Sequence, residues 1–160
     1  MLVVDSCVLI HLSRIRKLDL LRVDDCCTTD DVYKETVIEG KRGKSQIAEA
    51  FKKWLIKKDV DSSIASEVAQ KEGIEMADAT VILLTEKVNG MLLTNDKALI
   101  LVARSRGIPC LWMTSFLLKL CKDGKIKKEE ALDILYELVQ SGLNIEAKIY
   151  AILEKKLRME

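Results

Sequence analysis

The chain has 160 residues, of which 49% are hydrophobic and 32% charged, with one proline and seven glycines. This composition predicts one folded, helix-rich domain and excludes a disordered chain. The formal net charge of +1 does not by itself indicate a nucleic-acid partner. The longest apolar runs are too short to cross a bilayer, and no basic region precedes the first one as in a secretory signal. We therefore expect a cytoplasmic protein without a membrane segment.

The cysteines and the histidine exclude several common kinds of site. The five cysteines are odd in number and include no Cys-x-x-Cys pair, which argues against a disulfide framework and a zinc ribbon. His11 is the only histidine, and it has no histidine or cysteine partner at ligand spacing. A Ser-His-Asp or Cys-His hydrolase would need His11 itself as the base. We therefore expect reduced, mostly buried thiols and no nucleophilic hydrolase chemistry.

The first sixty residues predict short strands that alternate with helices. The strands are apolar runs, and the helices show apolar residues at a period near 3.6 behind a small capping residue. The predicted elements are a strand at 1–4, a helix capped by Ser6, a turn at 18–21, a strand at 26–28, a helix from Thr29 or Asp30 to Gly40, an amphipathic helix at 45–57 and a very short strand at Val60.

The rest of the chain continues this alternation and then becomes entirely helical. The predicted elements are a helix from Ser62 or Ser63 to Gly73, a helix at 76–88, a strand at 91–94, a helix at 97–106, a strand at 109–113 and helices at 116–121, 128–140 and 145–157. We predict an α/β fold over residues 1–113, with a mainly parallel central sheet flanked by helices. Residues 114–160 form a helical C-terminal extension of the same domain, which packs on the sheet, forms a homodimer contact or acts as a lid.

Four carboxylates stand where a strand ends or a helix begins. Asp5 follows the first strand, Asp96 follows the strand at 91–94, and Glu35 and Asp78 lie in the first turns of their helices. The carboxyl ends of parallel strands share one edge of the sheet, which is where sites form. Acids gathered there repel one another unless a cation lies between them, and hard oxygen ligands favour Mg²⁺ or Mn²⁺. Taken singly, Glu35 and Asp78 are ordinary charges of early helical turns.

Other phosphate-handling families fit these acids less well. Phosphatases similar to haloacid dehalogenases need Asp-x-Asp after the first strand, whereas Asp5 is followed by Ser6 and Cys7. Receiver domains need a paired acid there and a phosphoacceptor on a later strand, and neither is evident. The acids therefore favour metal-dependent hydrolysis of phosphodiesters.

A concentrated basic segment lies between Lys41 and Lys58. It contains seven basic residues and one acid, Glu49. If this segment flanks the acids, Lys41, Arg42 and Lys44 contact RNA. The alternative is a solvated helix face whose lysine stems cover apolar residues, and the charge pattern alone favours it.

Four short motifs carry a resemblance to a known family. They are Val3-Val4-Asp5-Ser6-Cys7-Val8-Leu9-Ile10, Val32-Tyr33-Lys34-Glu35, Met76-Ala77-Asp78-Ala79-Thr80-Val81-Ile82 and Leu93-Thr94-Asn95-Asp96. Together, in this order, they resemble the PIN-domain nucleases over residues 1 to about 113. The helical tail is similar to that of an archaeal and bacterial PIN-like subgroup, and the family includes VapC-type toxins.

The resemblance implies a divalent-metal-dependent endoribonuclease that cuts single-stranded RNA, either toxin-like or active in RNA processing. It assigns Mg²⁺ or Mn²⁺ to the four acids, and it gives Ser6 and Thr94 a role in orienting the metal or the substrate. RNA is then the substrate, and an antitoxin protein is a candidate partner. The alternative is a non-catalytic PIN-like scaffold that binds RNA or protein. Toxins often have a further acid close behind the fourth one, where this chain has Lys97, Ala98 and Leu99, so a fully occupied second metal site is not expected.

Overall fold

Five parallel strands form the central sheet. The computed structural model describes every residue of the chain except 41 and 42. In the described residues the strand order is β3-β2-β1-β4-β5. The strands are β1 (Leu2–Val4), β2 (Cys26–Thr29), β3 (Ile56–Lys58), β4 (Met91–Thr94) and β5 (Cys110–Trp112).

Helices connect the strands and follow the last one. A short 3₁₀ turn covers Leu18–Val23, and a wide π turn at Lys34–Ile38 directly continues the second helix. The α-helices are α1 (Ser6–Arg14), α2 (Asp30–Tyr33), α3 (Lys44–Lys53), α4 (Ser62–Glu72), α5 (Met76–Val88), α6 (Lys97–Ser105), α7 (Met113–Lys122), α8 (Lys128–Gln140) and α9 (Ala147–Arg158).

The inner strands are apolar along their length because helices cover both faces of the sheet. Val3, Val4 and Leu93 are completely buried. The helices after β5 contribute Leu135 and Leu157 to the same buried core. The predicted α/β fold with a parallel sheet and a helical C-terminal extension is therefore confirmed. Within the described residues, no helix is both long and apolar enough to span a membrane.

The strand order reverses at β1. The chain passes from β1 to β2 and β3 on one side, and then crosses to β4 and β5 on the other. β1 and β4 run side by side, with Val4 opposite Leu93. Such a switch point opens a crevice beyond the carboxyl ends of the two strands. Residues that directly follow β1 and β4 therefore meet there, although they are far apart in sequence.

Several sequence predictions differ from the structure. The helix expected at 45–57 ends at Lys53, because Trp54 leaves the helical backbone conformation and Ile56–Lys58 pairs with β2 as β3. The strand expected at Val60 therefore lies four residues earlier. Ser6 does not cap α1 with its side chain. Asp5 does, by accepting a hydrogen bond from the backbone N–H of Val8.

Candidate functional site

Asp5 lies at the centre of the switch point. It is the first residue after β1, and only 3% of its surface is exposed. Its Oδ1 accepts hydrogen bonds from the Val8 backbone N–H at 3.2 Å and from the Cys7 thiol at 3.0 Å. Its Oδ2 accepts a hydrogen bond from the hydroxyl of Thr94, the last residue of β4. The carboxylate is thus fixed by both strands of the crevice.

Cys7 and Thr94 connect the loop after β4 to the start of α1. The Cys7 Sγ accepts from the Asn95 backbone N–H at 3.4 Å, and Thr94 Oγ1 accepts from the Asp96 backbone N–H at 3.0 Å. Sequence reasoning treated Cys7 only as a reduced thiol. Its position in the first helical turn, two residues after Asp5, was the available signal.

Asp96 caps the helix that follows β4. Its Oδ1 accepts from the backbone N–H groups of Ala98 at 2.9 Å and Leu99 at 3.3 Å. These bonds satisfy two of the amides that a helix start leaves without partners. Unlike Asp5, Asp96 is exposed to solvent.

Glu35 belongs to the wide turn that follows α2. Thr29, at the end of β2, caps α2 by accepting from the Val32 backbone N–H at 3.3 Å. The π turn begins at Lys34, and such wide turns are frequent at functional sites. Glu35 is partly buried and lines a small pocket together with Glu39.

Asp78 lies in the first turn of α5. A hydrogen bond of 2.9 Å between Thr80 Oγ1 and Thr29 Oγ1 attaches this turn to β2, and both threonines are buried. Thr80 Oγ1 also lies 2.6 Å from the carbonyl oxygen of Ala77, to which it can donate. Through Thr29 the sheet holds both the helix of Glu35 and the helix of Asp78.

Burial and neighbouring carboxylates raise the pKa values of three of these acids, Asp5, Glu35 and Asp78. Burial, followed by the charges of Asp96, Asp5, Glu75 and Glu35, raises the pKa of Asp78 to about 7. Burial also raises the pKa of Asp5, against the hydrogen bonds that it accepts, and the charge of Asp96 adds to the rise. Asp5, Glu35 and Asp96 therefore all lie within electrostatic range of Asp78.

Glu35 experiences the same crowding. Burial raises the pKa of Glu35, and so do the charges of Glu75, Asp5 and Glu39, whereas the Ser6 hydroxyl favours the charged carboxylate. Glu75 is a fifth acid that the sequence prediction omitted. It stands directly before α5 and three residues before Asp78. Its place at a helix start was the signal that could have identified it.

The donor set fits a hard divalent cation in its chemistry. In the part of the chain that the structure describes, no three His, Cys, Asp or Glu side chains already stand in a metal-ligand arrangement. Both carboxylate oxygens of Asp5 accept hydrogen bonds from protein donors, and one oxygen of Asp96 accepts hydrogen bonds from α6. An ion would therefore bind beside these donors, through the lone pairs that the carboxylate oxygens have left. Carboxylate oxygens are the ligands that Mg²⁺ and Mn²⁺ prefer.

Lys44 is the member of the predicted basic contacts that the structure describes, and it lies near the end of α1. Lys44 opens α3, and an added Cβ on the preceding Gly43 would lie 2.0 Å from the Ser13 hydroxyl oxygen. Ser13 is near the end of α1, about 12 Å along the helix from Asp5 at 1.5 Å per residue. Lys41 and Arg42 lie outside the described residues.

A family model decides the relationship to known proteins. The model DUF3368, a PIN domain, matches residues 1–158. The chain belongs to the PIN-domain family. The match spans the helical extension as well as the sheet, and it confirms the resemblance that the four motifs indicated. PIN domains in general have a nuclease-type fold.

One solved structure shows the same fold. The chain is similar to the crystal structure of PAE2754 from Pyrobaculum aerophilum, with a TM-score of 0.50 and 17% sequence identity. The similarity covers 76% of this chain and 96% of that one. At this identity the comparison concerns the fold alone. No curated protein matches the chain.

Proposed function

We propose that this PIN domain is a divalent-metal-dependent endoribonuclease that hydrolyses phosphodiester bonds in single-stranded RNA. The pKa of Asp78 carries the proposal, because burial and four neighbouring carboxylates hold it near 7. Crowding of this kind destabilises an ion-free site, and a bound cation relieves it. The cellular role is toxin-like or in RNA processing, in line with the family.

The acids divide into direct and supporting ligands in this proposal. Asp5 and Asp96 would hold the ion, because Asp5 directly follows β1 and Asp96 stands two residues after the end of β4. Mg²⁺ usually retains several waters, so Asp78 and Glu35 orient these waters and the substrate. Thr94 holds Asp5 in place by donating to its Oδ2. When bound, the ion would stabilise the charge that develops on the phosphate group. It would also lower the pKa of the water molecule that attacks the phosphorus atom.

RNA cleavage with and without chelator tests the proposal. Mixed single-stranded RNA should be cut internally in Mg²⁺ or Mn²⁺ and remain intact in EDTA. The products should carry a 5′-phosphate and a 3′-hydroxyl, because the chain has no pair of histidines for attack by the RNA's own 2′-hydroxyl. Chelator-resistant cleavage, or cyclic-phosphate ends, would contradict the metal mechanism.

A second candidate function is a PIN-like scaffold that binds RNA without cutting it. The observation in its favour is that no preformed metal-ligand group exists in the described residues. The same assay separates the two functions. Manganese-loaded protein that binds the RNA and leaves it intact would support the scaffold.

A further inference from the structure

Three adjoining cavities open beside the end of α1 that is remote from Asp5. Arg16 lines all three of them. The central cavity, of about 400 Å³, lies between the end of α1, the start of α3 and the end of α8. We call it the arginine cleft, and its main polar lining residues are Arg14, Arg16, Gln46, Gln140 and Ser141.

The arginine cleft is positively charged and has no acid in its lining. Arg14 and Arg16 form no salt bridge with any described residue. The two positions that the structure does not describe are both basic in the sequence, so they supply no carboxylate. Glu137 lines one neighbouring cavity, and Asp19 and Glu49 line the other. Two guanidinium groups therefore share a cavity whose other polar side chains are neutral.

The backbone conformation of Arg16 indicates that its side chain has a functional role. Among the described residues, Arg16 and Asn89 are the non-glycine residues with positive φ, at 57° and 51°. Asparagine tolerates this conformation and glycine prefers it, whereas a long side chain incurs a steric cost. The position lies just beyond a helix end, where glycine is the common residue. Local stability thus does not explain the arginine.

We propose that the arginine cleft binds a phosphate group in the backbone of the RNA strand that the acids cleave. A guanidinium group matches a phosphate through two parallel hydrogen bonds. Trp54 lines the adjoining cavity, and unstacked bases pack on aromatic rings. An arginine pair beside an aromatic ring favours single-stranded RNA over an acidic peptide.

The separation between the cleft and the acids suits a short single strand. Arg14, the last residue of α1 and a lining residue of the cleft, lies about 14 Å from Asp5 along the helix, at 1.5 Å per residue. Proteins that bind single strands contact several successive nucleotides, so one strand can occupy both places. This inference rests on the proposed function and extends it, because it assigns a substrate contact away from the reacting phosphate.

The variant Arg16→Gly tests the inference without endangering the fold. Glycine adopts the backbone conformation of Arg16 more easily, so the thermal midpoint should stay unchanged or rise. Binding of a fluorescent single-stranded RNA is measured in EDTA over a range of salt concentrations. The variant should bind more weakly at low salt, and the slope of log affinity against log salt should become shallower by about 1.

Matched controls identify the ligand. Asn89→Gly makes the same backbone change at the other positive-φ residue and should bind RNA as the parent protein does. Inorganic phosphate and polyglutamate are added as competitors. RNA should be displaced by a second RNA at far lower concentration than by either competitor. Polyglutamate that competes as well as RNA, or an Arg16→Gly variant that loses only affinity for inorganic phosphate, would overturn the assignment.

Failure of the inference is distinguishable from failure of the proposed function. If the protein binds RNA through Arg16 but never cuts it in Mn²⁺, the nuclease proposal is wrong and the arginine cleft is still an RNA-binding site. If the protein cuts RNA and Arg16→Gly binds with unchanged affinity and salt slope, the cleft is not part of the RNA path.

Discussion

Asp5 combines a structural and a chemical task in one side chain. It caps α1 through its hydrogen bond from Val8, so the start of the helix stabilises an acid at this position even without an ion. Its second oxygen faces Thr94 across the switch point. A carboxylate that is already held by donors is pre-oriented, and an ion has to compete with those donors.

Asp96→Asn should separate stability from metal binding. Asparagine can keep the capping bonds to Ala98 and Leu99, and it removes a charge that raises the pKa values of Asp5 and Asp78. The metal-free thermal midpoint should therefore stay the same or rise. The rise that Mn²⁺ causes in the parent protein should shrink or disappear, and RNA cleavage should be lost.

The matched control is Asp61→Asn. Asp61 caps α4 with nearly the same geometry, accepting from the backbone N–H groups of Ser63 at 2.9 Å and Ile64 at 3.3 Å. This variant should keep the full response to Mn²⁺ and full cleavage. A large loss of metal-free stability in Asp96→Asn, but not in Asp61→Asn, would make Asp96 a structural residue.

The sequence predicted the acids better than their surroundings. Asp5 and Asp96 could be identified because each stands within two residues of the end of a short apolar strand. The hydrogen bond between Cys7 and Asn95 could not be predicted, because these residues are brought close only by the pairing of β1 with β4. Hydrogen bonds of this kind depend on tertiary structure, which local patterns do not encode.

At the scale of elements, the accuracy of prediction followed the strength of the local signals. The bounds of α5 and β4 were predicted correctly, because the Asn-Gly turn separates them. The predicted end of α3 was wrong because Trp54 and Leu55 continue the apolar spacing of the helix beyond Lys53. The wide turn after α2 was not predicted, since no local residue pattern distinguishes it from a regular helix.

Thr80→Val tests whether the attachment of α5 to β2 positions the site. Valine removes the hydrogen bond to Thr29 and leaves that buried hydroxyl without its partner on α5, which should cost about 1–3 kcal/mol of unfolding free energy. Because Asp78 lies two residues away, affinity for Mn²⁺ should fall as well. Chemical denaturation and Mn²⁺ titration measure the two effects.

Thr85→Val is the control for this change. Thr85 is also buried in α5, and its hydroxyl donates to the carbonyl oxygen of Val81 at 2.8 Å within the same helix. Its replacement should affect stability without changing the affinity for Mn²⁺. Equal effects of the two variants on Mn²⁺ binding would show that the link to β2 does not position Asp78.

For the whole molecule, the raised pKa values predict an unusual pH dependence of stability. The pKa of Asp78 rises from 3.8 to about 7 on folding. Between these values the folded chain holds a proton that the unfolded chain has lost, so this group makes the metal-free protein less stable as pH increases from about 4 to 7. The raised pKa values of Asp5 and Glu35 act in the same direction.

Denaturation of the parent protein and of Asp78→Asn over this pH range measures the contribution. The difference in stability between variant and parent should grow from pH 4 to 7. Saturating Mn²⁺ should reverse the trend in the parent, because metal ligands bind in the deprotonated form. If the difference in stability between variant and parent does not change with pH, the proton is bound by a group other than Asp78.

The central position of β1 has a consequence for the growing chain. A long stretch of sequence separates β1 from β4, which is the second strand that pairs with it. At roughly 5–20 residues per second, the ribosome needs about 4 to 17 s after making β1 to make β4. During this time one edge of β1 has unpaired backbone groups, which can pair with a foreign strand. The switch point that gathers the acids is thus also where the nascent chain is most open to mispairing.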